Sequence, residues 1–161
     1  MLMKKIILLS FTALVFINIW SCSDANEEHE NHEKSKHYVP HLGQMMLTNQ
    51  IYHTKLYYAG SEQNWELAEF YTHELTESLK DIIQYYPEYE GLKIKELATK
   101  TALRQVQNLE KSVKKKSLIE FKEGYVQLTN SCNACHVATQ HQFIKIKTPE
   151  KGDYQNQVFV K

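Results

Sequence analysis

The stretch Ser117-Leu118-Ile119-Glu120-Phe121-Lys122-Glu123-Gly124-Tyr125-Val126-Gln127-Leu128-Thr129-Asn130-Ser131-Cys132-Asn133-Ala134-Cys135-His136 decides the fold. Leu118, Phe121, Tyr125, Leu128, Cys132 and Cys135 recur at alternating steps of three and four, the period of one face of an α-helix. Ser117 followed by Glu120 matches a capping box and fixes where that helix starts. The two cysteines therefore continue an apolar helix stripe, and whatever they hold is expected inside the fold.

The last five residues of the stretch read Cys-x-x-Cys-His, the pattern of covalent c-type haem attachment. Two such thiols add across the two vinyl groups of haem to form thioethers. The adjacent His136 then offers an axial imidazole nitrogen to the iron. Two other uses of the pair fit less well. A thioredoxin-like dithiol wants a βαβ setting, and none is visible. A zinc site wants four ligands, and the chain has no second cysteine pair. One covalent haem c is the expected cofactor, with Cys132 and Cys135 attaching it and His136 ligating its iron.

Outward from that helix the chain keeps a helical character. With only 5 Gly and 3 Pro in 161 residues, long uninterrupted helices are permitted. A first helix is predicted near 38–59, with Leu42, Met45, Asn49, Tyr52, Leu56 and Ala59 on one stripe and Gly60 as its stop. A second is predicted near 62–86, capped by Ser61 and ended by Pro87, with Trp65, Ala68, Tyr71, Leu75, Leu79, Ile82 and Tyr86 inward. A third runs near 92–114, burying Leu97, Ala102, Val106, Leu109 and Val113. It closes on Lys114, Lys115 and Lys116, where the helix dipole favours cations. Short connections favour antiparallel neighbours. The expected fold is all-α, an antiparallel up-down-up-down four-helix bundle over 38–142 with the haem motif on its last helix. Pro149 and Gly152 break any helix beyond it, so 143–161 is expected as an extended tail over the bundle or the haem edge.

The N-terminus reads as an export signal. Lys4 and Lys5 precede the apolar run Ile6–Trp20, which is interrupted only by Ser10, Thr12 and Asn18. That run is shorter than the roughly 20 residues of a membrane span, and it fits a signal peptide over 1–21. Cys22, after Ile19-Trp20-Ser21, resembles the lipidated cysteine of a bacterial lipobox, although Trp20 replaces the usual small residue; the alternative is a plain N-terminal anchor. Residues 22–37 read as a polar tether, with His29 and His32 in a solvated linker rather than a metal site. Cys22 takes lipid and the other two cysteines take haem, so none is left for a disulfide. The 19 basic and 19 acidic residues balance, and losing Lys4 and Lys5 leaves a slight acidic excess, so no nucleic-acid partner is expected. The expected location is the periplasmic side of a bacterial membrane, held there by the lipid on Cys22.

A haem motif on the final helix of a four-helix bundle resembles the class II c-type cytochromes, the cytochrome c′ and cytochrome c-556 family. The stretches His53-Thr54-Lys55-Leu56-Tyr57-Tyr58-Ala59-Gly60, Asn64-Trp65-Glu66-Leu67-Ala68 and Cys132-Asn133-Ala134-Cys135-His136 also look like a set of bacterial cytochrome-like proteins reading H-A-K-L-W-F-A-G, N-W-x-L-A and C-N-A-C-H. The resemblance implies haem iron held by His136, redox partner proteins, and dimerisation through the first two helices. Where cytochrome c′ places a basic residue after the motif, this chain has Val137, Ala138 and Thr139. In the c-556 type a Met of the first helix is the sixth iron ligand. Met46 is the candidate here and Met45 the alternate, the competing reading being two core methionines.

His/Met ligation points to a membrane-tethered monohaem electron carrier, and no acid/base pair suggests an enzyme. An open sixth position would instead give a five-coordinate, cytochrome c′-like protein binding NO or CO. A third reading is a haem subunit of a respiratory assembly. His53, two turns beyond Met46, is weighed as a propionate partner or alternate ligand against a packing or surface histidine. His73 reads as solvated, and His141 as near the ring. Asn49 is the one awkward polar residue on an apolar stripe, and a haem-side hydrogen bond would explain it.

Overall fold

The computed structural model describes residues 38–150 together with Gln157 and Phe159. The leader, Cys22 and the tether lie outside the described residues. Helices, core and site all belong to the unit Val39–Lys161. The described residues are all-helical: α1 (Leu42–Ser61), α2 (Trp65–Tyr85), α3 (Ile94–Ala98), α4 (Arg104–Lys114) and α5 (Leu118–Ala138). Between α3 and α4 lies one π-helical turn, Thr99–Leu103. Its flanking residues keep right-handed helical angles, so α3, the π turn and α4 form a single rod. No strand occurs among the described residues; Tyr89 and Leu92 merely bridge a tight turn over Glu90 and Gly91, both at positive φ.

The α1 helix packs on α2, α2 on α4, α4 on α5, and α5 back on α1. One core joins all four rods through Leu56 and Ala59, Tyr71 and Leu75, Val106 and Leu109, and Phe121, Tyr125 and Leu128. Full burial of side chains of this size is worth about 1.5–3 kcal/mol each. A smaller cluster of Met45, Ile82 and Ile94 closes a second region.

Helix ends follow local chemistry, with two corrections to the sequence reading. Ser61 is the last residue of α1 and caps nothing. Asn64 is the N-cap of α2, accepting the Leu67 N–H at 3.3 Å. Gly60 is not a stop. It is buried inside α1, and a Cβ there would run into the ring of Phe121, while the left-handed turn after α1 falls on Gln63 at φ 57°. Gly60 thus serves close approach of α1 to α5. At α5, Ser117 accepts the Glu120 N–H at 3.4 Å. The return half of the capping box is missing, because the Glu120 carboxylate pairs with Lys115 at 2.9 Å. In the third rod Ile94 and Ala98 are buried and Leu97 is only half-buried. The π turn changes the helical period, which a uniform stripe does not anticipate.

Replacing Gly60 by Ala forces the Phe121 ring aside in a filled core and is expected to destabilise by about 1–3 kcal/mol. Urea denaturation measures it, and Phe121→Leu combined with Gly60→Ala should recover part of the loss.

Candidate functional site

A cavity of about 560 Å³ opens between the two core clusters. That lies within the roughly 300–1,000 Å³ of sites that enclose small molecules and cofactors. Its walls come from α1, α2, the third rod, α5 and the segment after α5, and no Asp, Glu, Lys or Arg is among its lining residues. The α5 wall carries Cys132, Cys135 and His136, and the α1 wall carries Met46, Asn49 and His53. Residues far apart in sequence are thus brought onto one cavity.

Cys132 and Cys135 are free thiols one helical turn apart, each half-buried. Burial pushes the Cys132 thiol up to about 11, with the neighbouring Cys135 adding to the rise. Burial raises Cys135 too, against a hydrogen bond with Thr101 of the π turn that lowers it. A redox dithiol needs the opposite, a thiol whose pKa is lowered toward neutrality. The described side chains include no group of three or more His, Cys, Asp or Glu placed to hold a metal ion.

His136 is held by its other nitrogen. Nδ1 lies 2.8 Å from the carbonyl of Ile144, and only an N–H can make that bond. A neutral imidazole has one N–H, so Nε2 keeps its lone pair for a Lewis acid. The same carbonyl bond strengthens such a ligand.

The structure separates the two methionines. Met46 is half-buried and lines the cavity. Met45 is buried against Ile82 and Ile94, a cluster Met46 also touches, and lines a separate cleft with Tyr52 and Glu74 rather than this cavity. Asn49 also lines the cavity, and both of its side-chain amide atoms are buried with no hydrogen-bond partner among the described residues. Leaving such a group unpaired costs about 1–3 kcal/mol.

His53 is buried, not a surface histidine. Tyr125 Oη lies 2.8 Å from Nδ1, and Thr129 Oγ1 lies 3.0 Å from Nε2. Thr129 Oγ1 in turn donates to the Tyr125 carbonyl at 2.9 Å. Because Thr129 donates onward, Nε2–H of a neutral His53 donates to Thr129 and Nδ1 keeps its lone pair. The one Tyr125 hydroxyl proton is shared between Nδ1 and the His53 carbonyl, also 2.8 Å away. Burial accordingly lowers the His53 pKa to about 4. His73 is exposed. His141 lines the cavity, its Nδ1 donating to the Thr139 carbonyl at 2.6 Å.

Sequence reasoning missed two contributors, Thr101 beside Cys135 and Asn133 between the cysteines; Ile144 and Ile146, on the cavity wall, belong to the segment expected over the bundle or the haem edge. The loose alternation of Ile144 and Ile146 with lysines was the signal for that segment. Compared with family models, with curated proteins and with solved structures, the chain finds no match. No helix among the described residues is long and apolar enough to cross a membrane.

His53 makes stability depend on pH. The unfolded side chain binds its proton near 6.5 and the folded one only near 4. Stability is therefore fully present above pH 6.5 and falls toward pH 4, by about 3 kcal/mol at 1.36 kcal/mol per pKa unit. Urea midpoints measured from pH 7 to pH 4 should show the slope, and His53→Gln should flatten it.

Proposed function

We propose that this chain is a membrane-tethered monohaem c-type cytochrome, folded as an up-down-up-down four-helix bundle, that transfers electrons on the periplasmic side of a bacterial membrane. The observation that carries the reading is the shared cavity. The Cys-x-x-Cys-His residues line a large uncharged pocket that Met46 also lines. Alternating helix directions are supported by the three residues that separate α1 from α2, and by the equally short link between α4 and α5.

The residues present fit a haem. Cys132 and Cys135 would hold it by thioethers, with their raised pKa values keeping them as quiet thiols beforehand. His136 Nε2 and Met46 would hold its iron, whereas Met45 lines a separate cleft. When bound, the haem supplies an iron that cycles between Fe(III) and Fe(II). The chain's own part is to exclude water with apolar walls, fix the His136 tautomer and deliver Met46. Asn49, with its unpaired amide, would meet a polar atom of the bound group. Lipidation of Cys22 and redox partner proteins complete the proposal. A second reading, an open site binding NO or CO, draws on the same observation, since Asn49 could hydrogen-bond a diatomic ligand instead.

The test is expression of the full chain with a c-type maturation system, followed by mass measurement and optical spectra with and without CO. One covalent haem is expected, lost in Cys132→Ala together with Cys135→Ala. A low-spin spectrum unaffected by CO should become high-spin and CO-sensitive in Met46→Ala, while Met45→Ala keeps it. A CO-sensitive wild type favours gas binding. A mature protein with no covalent haem sinks both readings.

A further inference from the structure

Asn133 occupies the first of the two spacer positions between the cysteines. Its Nδ2 donates to the Ile146 carbonyl at 2.8 Å, and its Oδ1 accepts the Ile146 N–H at 2.8 Å. One carboxamide therefore satisfies both backbone groups of one residue, as a neighbouring strand would. Two residues earlier on the same segment, the Ile144 carbonyl accepts from His136 Nδ1 at 2.8 Å. Asn133 and His136 are three apart on α5 and share a face. Ile144 and Ile146 are two apart on the returning segment, just after the turn at 142–143, and both line the cavity. The pairings 133 with 146 and 136 with 144 run antiparallel and form one register. The turn that returns the chain is itself closed, by His141 N–H to the His136 carbonyl at 2.7 Å and Ile144 N–H to the His141 carbonyl at 2.9 Å.

From this register we infer that Asn133 is a positioning residue for His136, and that the segment 143–146 is the clamp through which it acts. The Asn133 amide sets where the segment lies, the segment brings the Ile144 carbonyl to Nδ1, and the carbonyl keeps the proton on Nδ1. Nε2 is then presented to the cavity as an electron-pair donor. Only a carboxamide of this length matches the bonds. An aspartate at this position would have no donor and would set a carboxylate against the Ile146 carbonyl; an alanine would make neither bond. The consequence for an axial ligand rests on the haem reading above, whereas the tautomer does not.

Side-chain nitrogen NMR of the histidines in the full chain without haem tests the tautomer directly. Wild-type His136 is expected as the Nδ1–H form. In Asn133→Ala, Asn133→Asp and Ile146→Pro, which removes the matching N–H, the signal should move to a mixture containing Nε2–H. The Ile146 amide should also exchange at least tenfold faster in the two Asn133 variants. On haem-loaded protein, Asn133→Ala should keep its covalent haem but show a higher reduction potential, because a His136 freed from its carbonyl donates less charge and Fe(III) loses stabilisation. An unchanged His136 tautomer in Asn133→Ala overturns the inference, as does an unchanged potential in a loaded variant whose Ile146 amide has lost protection. A wild type that never takes haem refutes the haem reading alone, and the tautomer result still decides the role of Asn133.

Discussion

The rotational register of α5 is the constraint on which everything else depends. One face of this helix sends Phe121 under Gly60, Tyr125 to His53 and Leu128 into the shared core, then arrives at Cys132 and Cys135 on the cavity. A helix turns about 100° per residue, so a slip of one position would carry the thiols off the cavity while stripping the core. Core and site cannot be adjusted separately. Two glycines permit the register. Gly60 lets the Phe121 ring lie against α1, and at Gly124 a Cβ would come 3.0 Å from Leu109 Cδ1. With both neighbours this close, α5 has one way to sit.

Buried polarity reinforces that arrangement. Apolar packing tolerates small rotations, but the bonds from Tyr125 and Thr129 to the two ring nitrogens of His53 do not. Both hydroxyls come from α5 and the imidazole from α1, so the network pins one helix against the other at the cavity. The contrast with Asn49, one helical turn earlier on α1, is informative. A core that satisfies His53 completely yet leaves both Asn49 amide atoms unpaired has not merely tolerated a polar residue. Asn49 is also a lining residue of the cavity, so the unpaired amide sits at the boundary between the core and that space.

Much of this was legible in the sequence because periodicity reports burial. The stripes Ala68–Tyr71–Leu75–Leu79–Ile82 and Phe121–Tyr125–Leu128 are buried as spaced, and Pro87 follows the end of α2. Punctuation was less legible, since a glycine serves either a turn or a close approach and spacing alone does not tell which. Gly60 has the sequence context of a turn and is a close approach; Gln63, a residue with no turn signature, takes the positive φ. The π turn at Thr99–Leu103 leaves no mark on composition, so the burial of Ala98 in place of Leu97 was out of reach. For the candidate site, the motif named Cys132, Cys135 and His136, and helical phase separates Met46 from Met45 only once the position of α2 and the third rod is known. Asn133 was invisible because its partner is backbone, and backbone carries no sequence signature.

That last point bears on why the cavity wall is built from the chain that follows the motif. The α5 helix ends at Ala138, and Gln140 at φ 61° reverses the chain. The returning segment is only a few residues from the helix it meets, so closing the loop costs little entropy. It also arrives with the Ile144 carbonyl and both Ile146 backbone groups needing partners that no helix or strand supplies. Asn133 and His136 supply the partners those groups need, and His136 in turn receives the acceptor its Nδ1–H needs. Each side therefore solves the other's hydrogen-bonding deficit. An apolar plug such as a leucine would have filled the wall equally well, but it would have left the imidazole free to flip and either nitrogen free to face inward. Holding the wall with backbone polar groups makes the orientation of His136 a consequence of closing the cavity.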